Sequence, residues 1–129
     1  MTKMTNYLES KVAQHVLKNT AYTAPSTLYI ALHTADPTEA GNVSEVTTGT
    51  YATYVRKAVT LGAESGGSCV SSADLTWDSM PAITISHISV WDAATTGNCL
   101  LYGALTASKT MASGDSFRLA SGQITLGFD

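Results

Sequence analysis

The sequence predicts a mainly β fold with one N-terminal α-helix: an antiparallel β-sandwich or flattened barrel of about seven to eight strands. Three observations lead there. A 3.6-residue hydrophobic period occurs once, near the start. After Pro25 the period drops to two, in short runs separated by Gly, Pro, Asn and Asp. No helical pattern alternates with those runs, which argues against a parallel sheet with crossover helices.

The helix is expected at about residues 6–19, with Asn6 as the cap and Glu9 three positions on, close to a capping box. Leu8, Val12 and Val16 recur at i, i+4 and i+8, with Ala13 and Leu17 widening the stripe. Lys18 stands at the end that favours a cation, and Asn19-Thr20 stops the helix. Such a helix is too short to hold alone and is expected to pack its stripe on the body.

Thr27 to His33 reads as a strand, with Leu28, Ile30 and Leu32 on one face and Tyr29, Ala31 and His33 on the other. Residues 34–50 form a long loop broken by Gly41 and Gly49, a candidate interaction loop. A strand is expected over about 54–61, around the basic pair Arg56-Lys57. Residues 69–72 and 73–77 are short strand candidates. In residues 82–91, Ile83 and Ile85 fall on one parity and Ile88 and Val90 on the other. The phase change near Ser86-His87 predicts a bulge or a strand covered on both faces. Cys99 to Leu105 is its hairpin partner. Residues 116–120 and 123–128 are expected to pair with each other around Ser121-Gly122. The whole is expected to be a single domain over 1–129, the helix packed on a sandwich of 27–129.

Composition excludes several functions. Hydrophobic residues make up 44% of the chain, which is incompatible with disorder. No apolar run spans a membrane, and no membrane partner is expected. Seven Lys and Arg in a chain of net charge -3 argue against nucleic acid as a partner. Charged residues are only 13% of the chain, whereas Thr, Ser, Ala and Gly supply 60 of its 129 positions. The first residues carry no apolar stretch of a secretory signal, so synthesis in a cytosol is expected. Cys69 and Cys99 read as two small hydrophobes; a disulfide between them is not implied.

No catalytic motif is present: no G-x-S-x-G, no P-loop, no H-E-x-x-H. His15, His33 and His87 have no metal-ligand spacing. His87 reads as a hydrogen-bonded, half-buried strand residue, and His33 as exposed where the chain enters the Asp36-Pro37 turn. Asp36, Glu39 and Glu45 share the long loop, but their spacing is not that of a calcium loop. Asp74 and Asp78 flank Trp77, a pairing that would suit glycoside hydrolysis only across a cleft; turn capping is the commoner use. No cofactor and no metal are expected. The candidates for a protein interface are Tyr22, Tyr29 and Tyr51 beside the long loop, Asp36 and Glu39 within it, and Arg56 after it. The arm of residues 1–5 is a further candidate.

Read end to end, the chain resembles a family of small tailed-bacteriophage virion proteins, of the kind described as tail-fibre-like or head-decoration proteins. The resemblance is carried by Thr5-Asn6-Tyr7-Leu8-Glu9, by Tyr22 to Thr38, and by Tyr51 to Ala63. His87-Ile88-Ser89-Val90-Trp91-Asp92 to Asn98, Leu101 to Leu105 and Ala112 to Arg118 extend it over nearly the full length. It implies a structural virion protein rather than an enzyme, made in the bacterial host cytoplasm. The expectation is a capsid decoration (cement) protein on the capsid surface. Its partners would be the major capsid protein and copies of itself, as a trimer. The alternative is a tail fibre, baseplate or receptor-binding component. Copy number per virion separates the two.

Overall fold

The computed structural model describes residues 2–128. It is mainly β with one N-terminal helix, in the order β1 (Lys3–Met4), α1 (Asn6–Leu17), β2 (Leu28–His33), β3 (Lys57–Val59), β4 (Ser68–Val70), β5 (Leu75–Met80), β6 (Ile83–Trp91), β7 (Cys99–Met111), β8 (Asp115–Leu119) and β9 (Thr125–Gly127). One layer is a five-stranded antiparallel sheet ordered β1-β7-β6-β2-β3, and the other is made of two ribbons, β4-β9 and β5-β8. Ile30, Leu32, Ile85 and Val90 of the sheet meet Trp77, Met80, Phe117, Leu119 and Leu126 of the ribbons in one core. The Trp77 and Phe117 rings lie 5.9 Å apart and tilted, a favourable aromatic geometry. The indole N–H of Trp77 donates to the Val55 carbonyl at 2.8 Å, so no donor is stranded beside the core.

The phase change in β6 coincides with a shift in its pairing with β7. Ile85 pairs with Lys109 and His87 with Ala104, so β6 advances two residues while β7 covers five. The pairing breaks at the same point as the parity of β6 changes, and Ile83, Ile85, Ile88 and Val90 all reach the same core despite their opposite parity. The other face of the sheet carries a smaller cluster of Ala31, Trp91 and Cys99, with Tyr29 against it. Strands β2 and β6 are therefore covered on both sides.

Several expectations need correction. The helix ends at Leu17, and its cap is Thr5 rather than Asn6. The Thr5 hydroxyl accepts from the Leu8 N–H at 3.3 Å and donates to the Cys99 carbonyl at 2.6 Å, so one buried side chain caps the helix and ties it to β7. Asn19, at φ 52, ends the helix in a left-handed turn that asparagine tolerates. The predicted stripe does not pack: only Leu8 is buried, while Val12, Val16 and Leu17 are 38%, 69% and 77% exposed. The main contacts of α1 with the sheet are to β1 and β7, and the buried Leu8 lies in its first turn while the later turns are exposed.

The strand expected over 54–61 shortens to Lys57–Val59, because residues 47–54 coil into turns that bury Tyr51 and Tyr54. Residues 3–4 of the N-terminal arm pair with Tyr102 and Leu101 as an edge strand; residue 1 lies outside the described residues. The two C-terminal strands do not pair with each other. β8 pairs with β5 and β9 with β4, since the Ser121-Gly122 turn crosses from one ribbon to the next. Ser71 holds that crossing: its carbonyl and hydroxyl accept from the Gly122 N–H, and its hydroxyl also accepts from Ile124.

Candidate interaction surface

Residues 34–50 fold back on β2. Val46 N–H donates to the Leu32 carbonyl and Thr34 N–H to that of Ser44, which sets His33 opposite Glu45. Between these ties the chain makes a tight excursion. Asp36 Oδ1 accepts from the Thr38 N–H at 2.8 Å, Pro37 is fully buried, and the Glu39 carbonyl accepts from the Asn6 N–H. Thr38 and Ser44 hold φ values of 61 and 60, strained for residues with a side chain and worst for β-branched Thr38. Gly41, at φ +75, packs so closely on Cys99 that an added Cβ would lie 2.4 Å from its Cβ and Sγ.

Two side-chain clusters hold this excursion down. In the first, Arg56 Nε and Nη2 reach the two Glu45 oxygens at 2.8 and 2.9 Å. Its Nη1 donates to the Ala93 and Thr96 carbonyls, and its guanidinium lies 3.7 Å from the Trp91 ring centroid. The side chains of Arg56 and Glu45 are 9% and 19% exposed. Burial alone would raise the Glu45 pKa, but the Arg56 hydrogen bonds and charge, with the Tyr54 hydroxyl, outweigh it and hold the carboxyl below its ordinary value. Tyr54 links this clamp to β2, donating to Glu45 Oε1 at 2.9 Å and accepting from the Leu32 N–H. Burial, and then the Glu45 charge, raise its phenol well above the usual range.

The second cluster centres on His33, which is fully buried. Its Nδ1 lies 2.8 Å from the Val43 carbonyl and its Nε2 lies 2.7 Å from Ser89 Oγ, which also accepts from Trp91 Nε1 at 2.7 Å. A carbonyl only accepts, so Nδ1 carries the ring proton and Nε2 accepts from Ser89. Burial lowers the imidazole pKa. Cys99 lies beside this group, its thiol pushed by burial to about 12. The expectation that His33 is exposed is therefore corrected. Its place opposite Glu45 in a folded-back loop, not its local sequence, buries it.

The six candidate interface residues divide. Tyr51 is buried, with its hydroxyl on the Asp78 carbonyl, and Arg56 is committed to Glu45 and two carbonyls, so both serve the chain internally. Tyr22 and Tyr29 are half-buried, Tyr22 packed against the main core and Tyr29 against Trp91. Asp36 and Glu39 are exposed on the excursion. With Glu9 of the helix, their charges act on the Tyr102 phenol, whose pKa burial raises first. The excursion and α1 therefore adjoin one acidic surface. Asp74 is bound by Arg118 and by the Ser121 N–H, and Asp78 by the Ser116 hydroxyl. Neither lies free across a cleft. Among the described residues, no group of three His, Cys, Asp or Glu gathers as metal ligands.

Sequence reasoning missed Glu45, Tyr54, Ser89 and Trp91 as a connected set. The conspicuous signal was the lone basic pair at 56–57, in a chain so poor in charge that a buried partner for it was a reasonable question. Two further features are exposed: the Val12-Val16-Leu17 side of α1, and a groove of about 900 Å³ between β7 and the β8–β9 region, floored by Ile88, Phe117 and Ile124. Of the aromatics among the described residues, Phe128 at the groove rim is the exposed one.

No match was found among the curated proteins. A family model described as podophage GP4 fiber I protein gp80 matches residues 3–127, which takes in every strand, the helix and the clamped excursion. The match covers nearly the whole chain, and the chain belongs to this family of phage fibre-like virion structural proteins.

Proposed function

We propose that this chain is a non-enzymatic structural component of the phage tail, a fibre or baseplate subunit that works by contact with neighbouring virion proteins. One observation carries the reading: the family whose model covers residues 3–127 is described by a fiber protein. The expected capsid surface gives way to the tail on that ground. The structure suits such a role. A clamped, strained excursion presents Asp36 and Glu39, and α1 carries an exposed apolar side. With most aromatics turned inward, these contacts rest on loop polar groups and helix side chains rather than on an aromatic platform.

The test is to locate the chain in purified virions by cryo-electron microscopy and count its copies. A handful of copies on the tail supports the proposal. Hundreds spread over the head would overturn it. They would restore the second reading, a decoration protein on the major capsid protein lattice.

A further inference from the structure

We propose that residues 34–46 form an acid-released flap, latched at neutral pH by the neutral imidazole of His33, whose opening uncovers Cys99. This goes beyond the structural role and holds whichever virion protein the flap touches. His33 joins three parts: its own strand β2, the flap through the Val43 carbonyl, and β6 through Ser89. Both ring nitrogens are used, and the pattern has a place for one ring proton only, on Nδ1. A second proton, on Nε2, would reverse the bond with Ser89: the Ser89 oxygen would accept from both Nε2 and Trp91, and its own O–H would lose the ring nitrogen as acceptor. It would also place a cation out of reach of water.

The charged surroundings offer little relief. Glu45, from the flap, favours the cation, but Arg56 holds both its oxygens. Arg56 itself, and His87 across the pairing with β6, disfavour it. Cys99, facing Ser89 from β7, is held as the neutral thiol. The flap also stores strain that opening would relieve, in the left-handed Thr38 and Ser44. Gly41 is the lid over Cys99, at a distance that no side chain tolerates, so Cys99 reports directly on opening.

The sign follows from linkage. The latched imidazole binds a proton less readily than one in water, so acid favours the open form. With an open-state pKa of ~6.5, the open population rises about tenfold between pH 7.5 and 5.5. The experiment uses the unaltered protein and 4,4′-dithiodipyridine, with labelling at Cys99 read by peptide mass spectrometry and normalised to a free thiol at the same pH. The expected result is a roughly tenfold faster reaction at pH 5.5 with the native circular dichroism retained. An unchanged normalised rate, or labelling only once the spectrum collapses, would overturn the proposal.

His33→Gln keeps one donor and one acceptor without a titrating proton, and is expected to abolish the acceleration. Its acceleration to the wild-type extent would also overturn the proposal. Nitrogen-15 NMR of the wild-type imidazoles tests the same latch without a substitution. His33 should show the Nδ1–H tautomer at pH 7.5 and gain its second proton together with a change in the amides of residues 34–46. Titration that leaves those amides unchanged would count against the flap.

Discussion

Removing the Arg56 side chain tests the clamp most directly. Arg56→Ala deletes two hydrogen bonds to Glu45, two to the Ala93 and Thr96 carbonyls, and the stacking on Trp91. It leaves the Glu45 carboxylate, 19% exposed, with only the Tyr54 hydroxyl as a partner. Removing one member of a buried pair costs about 3–5 kcal/mol, and the residual access of Glu45 to water argues for the lower end, about 3 kcal/mol. The unfolding entropy typical of globular proteins, about 2.1 cal/mol/K per residue, scales to roughly 0.27 kcal/mol/K for this chain. The loss therefore corresponds to a fall in Tm of about 11 °C by calorimetry. Glu45→Gln in the Arg56→Ala background should recover part of it, because no uncompensated charge then remains. Arg56→Lys, which keeps the charge but not the fork, should fall between the two. A fall below about 4 °C for Arg56→Ala, within the range of an exposed pair, would refute the claim that this clamp holds the excursion.

Three other outcomes follow from the same geometry. Gly41→Ala is expected to lower stability by at least about 2 kcal/mol in urea, from the left-handed φ and the contact with Cys99 together. Gly114→Ala, with a similar φ and nothing within 4 Å, should cost only about 1–2 kcal/mol. Urea midpoints should be flat from pH 8 to about 6.5 and fall below it, because the unfolded His33 binds the proton that the folded one resists. A further fall is expected below the ordinary carboxylate range as Glu45, whose folded pKa is lowered, is protonated. Leu8→Ala should destabilise by about 2–4 kcal/mol, whereas Val16→Ser and Leu17→Ser should change the isolated chain by no more than about 0.5 kcal/mol. If Val16→Ser matched Leu8→Ala, the helix would pack along its length rather than at its first turns.

Local pattern determined a good deal. The alternation in Leu28–His33 and the parity change at Ser86–His87 specified a mainly β fold, its central strands and a bulge, because side-chain period is a property of the backbone that any neighbouring strand must accept. The linear string of segments from Thr5 to Arg118 likewise carried the phage virion family, which the family match bears out. What the sequence could not state is which groups are brought together from far along the chain. Arg56 with Glu45, His33 with Ser89, and Thr5 with Cys99 are juxtaposed only once β2, β6 and β7 align and the loop folds back. The helix shows the converse. Its apolar stripe is legible in the sequence, but whether a stripe is buried depends on where the helix sits, and here only Leu8, in the first turn, is buried. Periodicity is local and is written in order along the chain; burial and polar partnership are sums over distant neighbours, and only the tertiary structure decides them.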